Sequence, residues 1–101
     1  MKSKNDTIEL VATLIAKLGK EQALQDMIIK IVPEVKAEDG CIEYAVHVDQ
    51  DKPGVFVIYE IWASQAALDA HAVGPVLKQL HTRAEELLES PANLQMICRI
   101  A

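Results

Sequence analysis

The chain has 101 residues, half of them hydrophobic, and a formal net charge of −5. This length suits one domain, and the ten basic residues are scattered along the chain, so we expect neither nucleic acid nor a membrane as a partner. No apolar run approaches the ~18 residues of a membrane span, and no signal-peptide core precedes the first strand pattern. We therefore expect a cytoplasmic protein, with a flexible leader at residues 1–6 and one domain at residues 7–101.

The first third of the chain predicts a strand followed by a helix. Residues 7–16 are rich in Val, Ile, Leu and Thr, and apolar side chains fall on both faces of the predicted strand. A turn at Gly19 leads into a helix from about residue 20 to residue 36, where apolar side chains recur every three or four residues. Pro33 should kink the last turn of this helix or end it.

The middle of the chain predicts a β-hairpin. Residues 41–49 form the second strand, with Tyr44 on one face and Cys41 and His47 on the other. The turn-forming residues 50–54 connect it to residues 55–62, the most apolar strand.

Two helices and a last strand complete the predicted order. Ser64 is a suitable N-cap for a helix through about residue 72, and Pro75 suits the first turn of a helix that runs to about residue 89. Residues 94–100 form the fourth strand. This order predicts an α+β, ferredoxin-like antiparallel four-stranded sheet with helices on one face.

The sheet face opposite the helices also carries apolar side chains, with Val11, Ile15, Val57 and Ile61 as candidates. A face of this kind left in water would form a large exposed apolar patch. We therefore expect a homodimer that buries it.

Two stretches of the sequence resemble a known family. The stretch VIYEIWASQAAL at residues 57–68, followed by His71, resembles the E-x-W-x-S-x-x-A-L-x-x-H signature of the antibiotic biosynthesis monooxygenase (ABM) domain. The stretch KIVPEVKAEDGC at residues 30–41, with Tyr44 and Asp49, is similar to the helix-to-strand passage of bacterial quinol monooxygenases in that family. The resemblance implies a dimeric α+β barrel and an oxygenase that uses no metal, flavin or other cofactor. It also implies that molecular oxygen and a small aromatic substrate, a quinol or a polycyclic phenol, are the reactants.

Two residues are the candidates for catalysis. Glu60 lies in an otherwise apolar strand, where a buried carboxylate needs a partner. The strand-to-helix turn brings His71 within its reach, so we assign His71 as proton acceptor and Glu60 as the carboxylate that orients it. The alternative is a structural hydrogen bond that holds the helix to the sheet.

Four further residues are assigned to substrate binding: Trp62, Tyr44, Phe56 and His81. Trp62 shares a face with Glu60 and Phe56, and it either stacks on a planar substrate or fills the core. Tyr44 binds the substrate or lies at the dimer seam, where Tyr59 is expected. His81 borders the apolar side of the third helix.

The segment Lys78–His81 is similar to the site of the axial histidine in haem-degrading relatives. Those relatives also carry an asparagine on the first strand and a tryptophan where His71 stands, and both departures in this chain argue against haem.

The remaining candidates have structural interpretations. Cys41 and Cys98 are expected to be buried, reduced thiols, and His47 a solvated or interface residue. Arg99 either pairs with a carboxylate at the rim of the barrel or holds an acidic substrate.

Two other functions suit the same fold. One is an isomerase of a small phosphorylated signal molecule, which would need charged groups to hold the phosphate. The other is a dimeric module that binds an aromatic ligand without turnover.

Overall fold

A computed structural model describes residues 7–101, so the predicted flexible leader at residues 1–6 lies outside the described part of the chain. The elements follow one another as β1 (Ile8–Ile15), α1 (Glu21–Lys36), β2 (Cys41–Val48), β3 (Val55–Trp62), α2 (Gln65–Val73), α3 (Pro75–His81), α4 (Ala84–Leu87) and β4 (Asn93–Ile97).

The four strands form one antiparallel sheet in the order β2-β3-β1-β4. The register places Leu10 of β1 opposite Glu60 of β3 and Met96 of β4, with Tyr44 of β2 opposite Glu60 on its other side. This arrangement confirms the predicted α+β, ferredoxin-like fold.

The inner face of the sheet, which the helices cover, holds the hydrophobic core. Alternate residues of β1 and β3 are buried along the whole length of each strand, because successive side chains point to opposite faces. They pack with one side of α1, and the fully buried side chains of this layer include Leu10, Leu14, Phe56, Trp62, Leu24, Ile28 and Ile31.

The outer face carries the other half of each strand, and its side chains are mainly half-buried. Val11 and Thr13 of β1 lie beside Val57 and Tyr59 of β3 on this face. Among residues 7–101, the helical contacts of the sheet are with the inner side, so the predicted uncovered face is present in the protomer.

Pro33 lies inside α1, which continues to Lys36. The prediction of a helix to about residue 36 is therefore confirmed, and of the two expectations for Pro33 the change from helix to turn at that residue is wrong. The backbone N–H of Ala37 donates to the Pro33 carbonyl over 3.2 Å, so the last turn forms beyond the proline.

A β-bulge in β2 corrects the predicted facing of Cys41. The register shifts between Cys41 and Glu43, so Cys41 pairs with Trp62 and points to the same side as Tyr44, while Ile42 is 57% exposed. An extra residue in one strand reverses the facing of everything before it, which an alternating pattern does not reveal.

The predicted helix over residues 75–89 is also wrong in extent. It divides into α3 and α4 at Arg83, whose φ of −110° and ψ of 5° depart from helical geometry. Leu88 is extended and pairs with Ala16 as an isolated bridge.

β4 ends at Ile97, three residues before the predicted end, because Ile97 already pairs with Glu9 near the start of β1.

Cys98 is exposed and Cys41 is half-buried, which corrects the expectation of two buried thiols. Within residues 7–101, no helix combines the length and the apolar character that crossing a membrane requires.

Candidate active site around His71

A cavity of about 750 Å³ lies between the inner sheet face and the helical layer. Its volume is in the range of small-molecule sites. Leu10, Ala12 and Leu14 of β1 form its floor, and Leu77 and Leu80 of α3 lie across from them. The polar side chains of Glu60, His71 and Tyr44 also line it.

His71 reaches the cavity because α2 begins directly after β3. The Ser64 side chain accepts a hydrogen bond of 3.1 Å from the backbone N–H of Ala67 and thereby caps the helix. Two turns later His71 points into the protein, and only 5% of it is exposed.

Glu38 is the direct partner of His71. Its Oε1 atom lies 2.7 Å from His71 Nδ1. A carboxylate accepts hydrogen bonds, so Nδ1 carries the proton of the neutral ring and Nε2 keeps its lone pair. With this tautomer, Nε2 is the ring atom that can accept a hydrogen bond.

The turn between α1 and β2 brings Glu38 into position. Gly40 in this turn has a φ of +82°, and a Cβ there would lie 2.5 Å from the Cβ of Ala67 in α2. The Ala63 N–H also donates to the Gly40 carbonyl over 2.8 Å. Only glycine permits this approach, which holds Glu38 beside the helix that carries His71.

Glu60 lies near the other nitrogen of His71. Its Oε1 atom accepts a hydrogen bond of 2.9 Å from Trp62 Nε1 and lies 4.0 Å from His71 Nε2. Burial raises the pKa of Glu60, and the Trp62 hydrogen bond and the nearby His71 oppose that rise. The sequence predicted that Glu60 and His71 lie close together, which they do. The prediction that Glu60 is the carboxylate bonded to His71 differs from the structure, where Glu38 makes that hydrogen bond.

Two aromatic rings enclose the His71 ring. Trp62 stacks on it with ring centres 4.5 Å apart, and Tyr44 meets it edge-on at 5.9 Å. Burial and the neighbouring Glu60 raise the pKa of Tyr44, so its hydroxyl stays protonated and remains a hydrogen-bond donor. These contacts fix the plane of the imidazole.

A comparison with known protein families shows the family of the chain. The family model described as antibiotic biosynthesis monooxygenase matches residues 7–83. The chain belongs to this family.

Relatives of the family agree in sequence and in structure. The chain is 40% identical over 81 residues to the "Probable quinol monooxygenase YgiN" of Escherichia coli, with 70% of this chain and 78% of that protein covered. It is 25% identical to an uncharacterised Synechocystis protein, and the aligned part covers 95% of this chain but only 65% of that protein. The crystal structure of PA3566 from Pseudomonas aeruginosa superposes with a TM-score of 0.90 at 27% identity, over 98% of this chain and 99% of that one. The family model and the relative from Escherichia coli support a monooxygenase, and the PA3566 structure supports the fold.

The other residues predicted for substrate binding divide into two groups in this ABM-family chain. Tyr44 and His81 line the cavity, and His81 is exposed. Trp62 and Phe56 are fully buried and do not occur among the described cavity-lining residues. Trp62 instead supports His71 from behind, and Phe56 belongs to the core.

Three further candidates lie away from the cavity. His47 is exposed, and its Nδ1 atom lies 3.1 Å from the Val57 carbonyl. The Tyr59 hydroxyl donates to Glu9 on the outer face, and Arg99 Nε donates to the Ala101 carbonyl over 2.7 Å. In the described part of the chain, no three His, Cys, Asp or Glu side chains group closely enough to hold a metal ion.

Glu38 is the site residue that sequence reasoning missed. It lies inside the stretch whose resemblance to quinol monooxygenases was noted, and that resemblance was the available signal. A carboxylate in a polar turn has no apolar context that would single it out.

Proposed function

We propose that this monooxygenase oxidises a quinol or polycyclic phenol with molecular oxygen and without a metal or flavin. The hydrogen bond from His71 Nδ1 to Glu38 supports the proposal most strongly, because it leaves Nε2 as an acceptor in a cavity with mainly aliphatic walls. A phenolic hydroxyl that donates to Nε2 would lose its proton to His71.

The proposed reaction is balanced without a further reductant. A 1,4-quinol with one unsubstituted ring position loses two hydroxyl protons and one ring C–H proton, and its ring carbon forms a bond to one atom of O₂. The O–O bond breaks and the second oxygen leaves as water. The quinol is oxidised by four electrons to a hydroxyquinone, and O₂ receives all four.

Each proposed role follows from a contact of the described residues. Glu38 fixes the tautomer of His71 and stabilises the imidazolium that forms. Tyr44 and Glu60 lie on the sheet beside the ring, where they would contact the substrate hydroxyl or its oxidised product. The aliphatic walls exclude water from the reactive oxygen intermediates.

The charges at the cavity disfavour the phosphorylated-substrate alternative. Among residues 7–101, Glu60, Glu85 and Glu89 line it together with a single lysine, Lys17. This surplus of carboxylates repels an anionic substrate and suits a neutral phenol. A module that only binds an aromatic ligand would use the same cavity, and turnover separates the two functions.

We also propose a homodimer formed through the outer face of the sheet. Val11, Val57 and Ile61 are half-buried on that face, and Ile15 is exposed. A second copy placed face to face would remove these side chains from water, and it would bury the Tyr59–Glu9 hydrogen bond in the seam.

Oxygen consumption tests the proposed reaction. Chelator-treated protein is mixed with 2-methyl-1,4-naphthoquinol in an oxygen electrode, and the product is analysed after reaction with ¹⁸O₂. We expect one O₂ consumed for each quinol and one labelled oxygen in the hydroxyquinone.

Uptake no faster than the autoxidation of the quinol would contradict the proposal. Unlabelled quinone with hydrogen peroxide would indicate an oxidase, and saturable binding without uptake would indicate the binding module.

A further inference from the structure

The cavity extends along β1 rather than surrounding one point. Leu10 pairs with Glu60 and Leu14 pairs with Phe56, and the four residue steps from Leu10 to Leu14 span about 13 Å. The cavity continues past Leu14 to Lys17. Glu60 therefore marks one end of an elongated space and Lys17 the other.

The two ends differ in exposure. Glu60, His71 and Tyr44 are 4%, 5% and 2% exposed, respectively, whereas Lys17 and Glu89 are exposed. The proposed proton acceptor thus lies at the end whose polar side chains are buried, called the closed end below, and the charged side chains at the other end reach solvent.

The two ends also differ in the chemistry of their walls. Tyr44 and the imidazole of His71, with Trp62 stacked behind it, stand at the closed end. Beyond them, the described walls toward Lys17 are aliphatic and include Leu14, Ala84, Leu88 and Leu94. Pairing confirms this placement, because Leu94 lies opposite Ala12 and Leu88 opposite Ala16.

We propose that the substrate of this site is a quinol or phenol with a long aliphatic substituent. The aromatic ring lies at the closed end against His71, and the substituent extends past Leu14 and Leu88 toward the exposed end near Lys17. This inference rests on the proposed function and adds the part of the substrate that the far half of the cavity would bind. A bicyclic ring alone is shorter than the span from Leu10 to Leu14.

Binding of oxidised quinones tests this inference independently of turnover. The probes are 2-methyl-, 2-pentyl- and 2-decyl-1,4-naphthoquinone, and the readout is quenching of Trp62, the single tryptophan of the chain. Each methylene moved from water to aliphatic walls improves binding by up to roughly fourfold. We expect the decyl compound to bind at least about tenfold more tightly than the methyl compound. The decyl compound has nine more methylenes, and burying only a few of them is sufficient for a tenfold gain in affinity.

Two variants locate the aliphatic half. Ala84→Phe fills the space between α4 and the sheet, and Leu94→Gln makes the wall polar at an exposed position that tolerates it. Either variant should reduce the decyl-to-methyl affinity ratio at least threefold, because each should prevent the burial of roughly one or two methylenes of the decyl chain. Ala66→Phe is the matched control, since Ala66 is exposed on α2 outside the described cavity lining, and it should keep the ratio.

Four outcomes would overturn the inference. Equal affinities for the three quinones would show that the far half of the cavity binds no alkyl chain, and they would leave the proposed reaction intact. Oxygen uptake that is fastest with the methyl quinol would have the same meaning. A chain-length gain that survives in both cavity variants would place the alkyl group elsewhere on the protein. Failure of every quinone to bind would overturn both this inference and the quinol substrate.

Discussion

The two faces of the sheet carry the same kind of pair in different surroundings. On the inner face, buried Trp62 donates a hydrogen bond to buried Glu60, and burial raises the pKa of that carboxyl. On the outer face, the Tyr59 hydroxyl donates to Glu9, and this hydrogen bond is the main cause of the raised pKa of Tyr59.

The comparison shows that surroundings, rather than pairing, distinguish a reactive site from a surface contact. The inner pair lies within reach of His71 and a cavity, and the outer pair does not. We therefore expect chemistry on the inner face and association on the outer face, and the predictions below test that division.

The largest expected effect comes from removing the proposed proton acceptor of the inner face. His71→Gln should lower kcat/KM for the quinol by about 10²–10⁴-fold, the usual contribution of a general base. Oxygen uptake measures the loss. His47→Gln, a change of the same type at an exposed position of β2, should leave the rate unchanged. Equal losses of rate in the two variants would contradict the assignment of chemistry to the inner face.

A charge on the outer face should break the dimer. Val57→Lys places an unpaired ammonium in the proposed seam, so we expect the dissociation constant to rise by at least about 10²-fold. Light scattering after size exclusion measures the mass. Val48→Lys at the half-exposed end of β2 is the control, and a wild-type monomer at micromolar concentration would contradict the assembly itself.

Glu38→Gln should separate positioning from simple packing. The amide can donate to Nδ1 and stabilise the tautomer whose Nε2 carries the proton, so we expect kcat to fall about 10–10²-fold while quinone affinity changes little. The pH profile of kcat should also shift. Glu34→Gln, which alters a surface carboxylate that accepts from Gln79, should change neither, and an unshifted profile in Glu38→Gln would leave Glu38 a packing residue.

Gly40→Ala should cost stability and activity together. Both Gly40 and Gly19 have positive φ, but only Gly40 would place a Cβ against another residue, and Gly19 has nothing within 4 Å. Alanine at either position costs about 1–2 kcal/mol for the left-handed backbone. Gly40→Ala should lose about 1 kcal/mol more, as overpacking does, in urea unfolding. Equal losses would show that the turn moves freely against α2.

The smallest effect is a pH dependence of stability. Because the pKa of Glu60 lies above its ordinary value of 4.5 in the folded chain, the folded state binds the extra proton between those two pKa values. The free energy of unfolding therefore falls as pH rises through that window. Glu60→Gln should remove this slope, and denaturant titrations of both proteins across the window measure it. An unchanged slope would assign the titration to another group.

Much of the fold was predictable because its signals are local. The two apolar faces of β1 and β3, the Ser64 cap and the hairpin turn each depend on residues within a few positions. The errors arose where a local pattern meets a distant constraint. The bulge at Cys41 depends on pairing with β3, and the extended backbone at Leu88, where a helix was predicted, depends on its pairing with Ala16.

The site was partly predictable for the same reason. Glu60, Trp62 and His71 share one continuous motif, so their closeness followed from a strand that leads into a capped helix. Within this motif the hydrogen bond forms between Trp62 and Glu60, and His71 Nε2 lies 4.0 Å from Glu60 Oε1. The spacing of residues along the chain does not show which side chains reach each other at the end of a strand.

The sequence alone determined two-faced strands, the order of the elements and the motif that carries His71, since each is a property of neighbouring residues. Only the tertiary structure decided which carboxylate orients His71. Glu38 is 33 positions away along the chain, and it reaches the imidazole because Gly40 lets its turn approach Ala67 more closely than any side chain would permit.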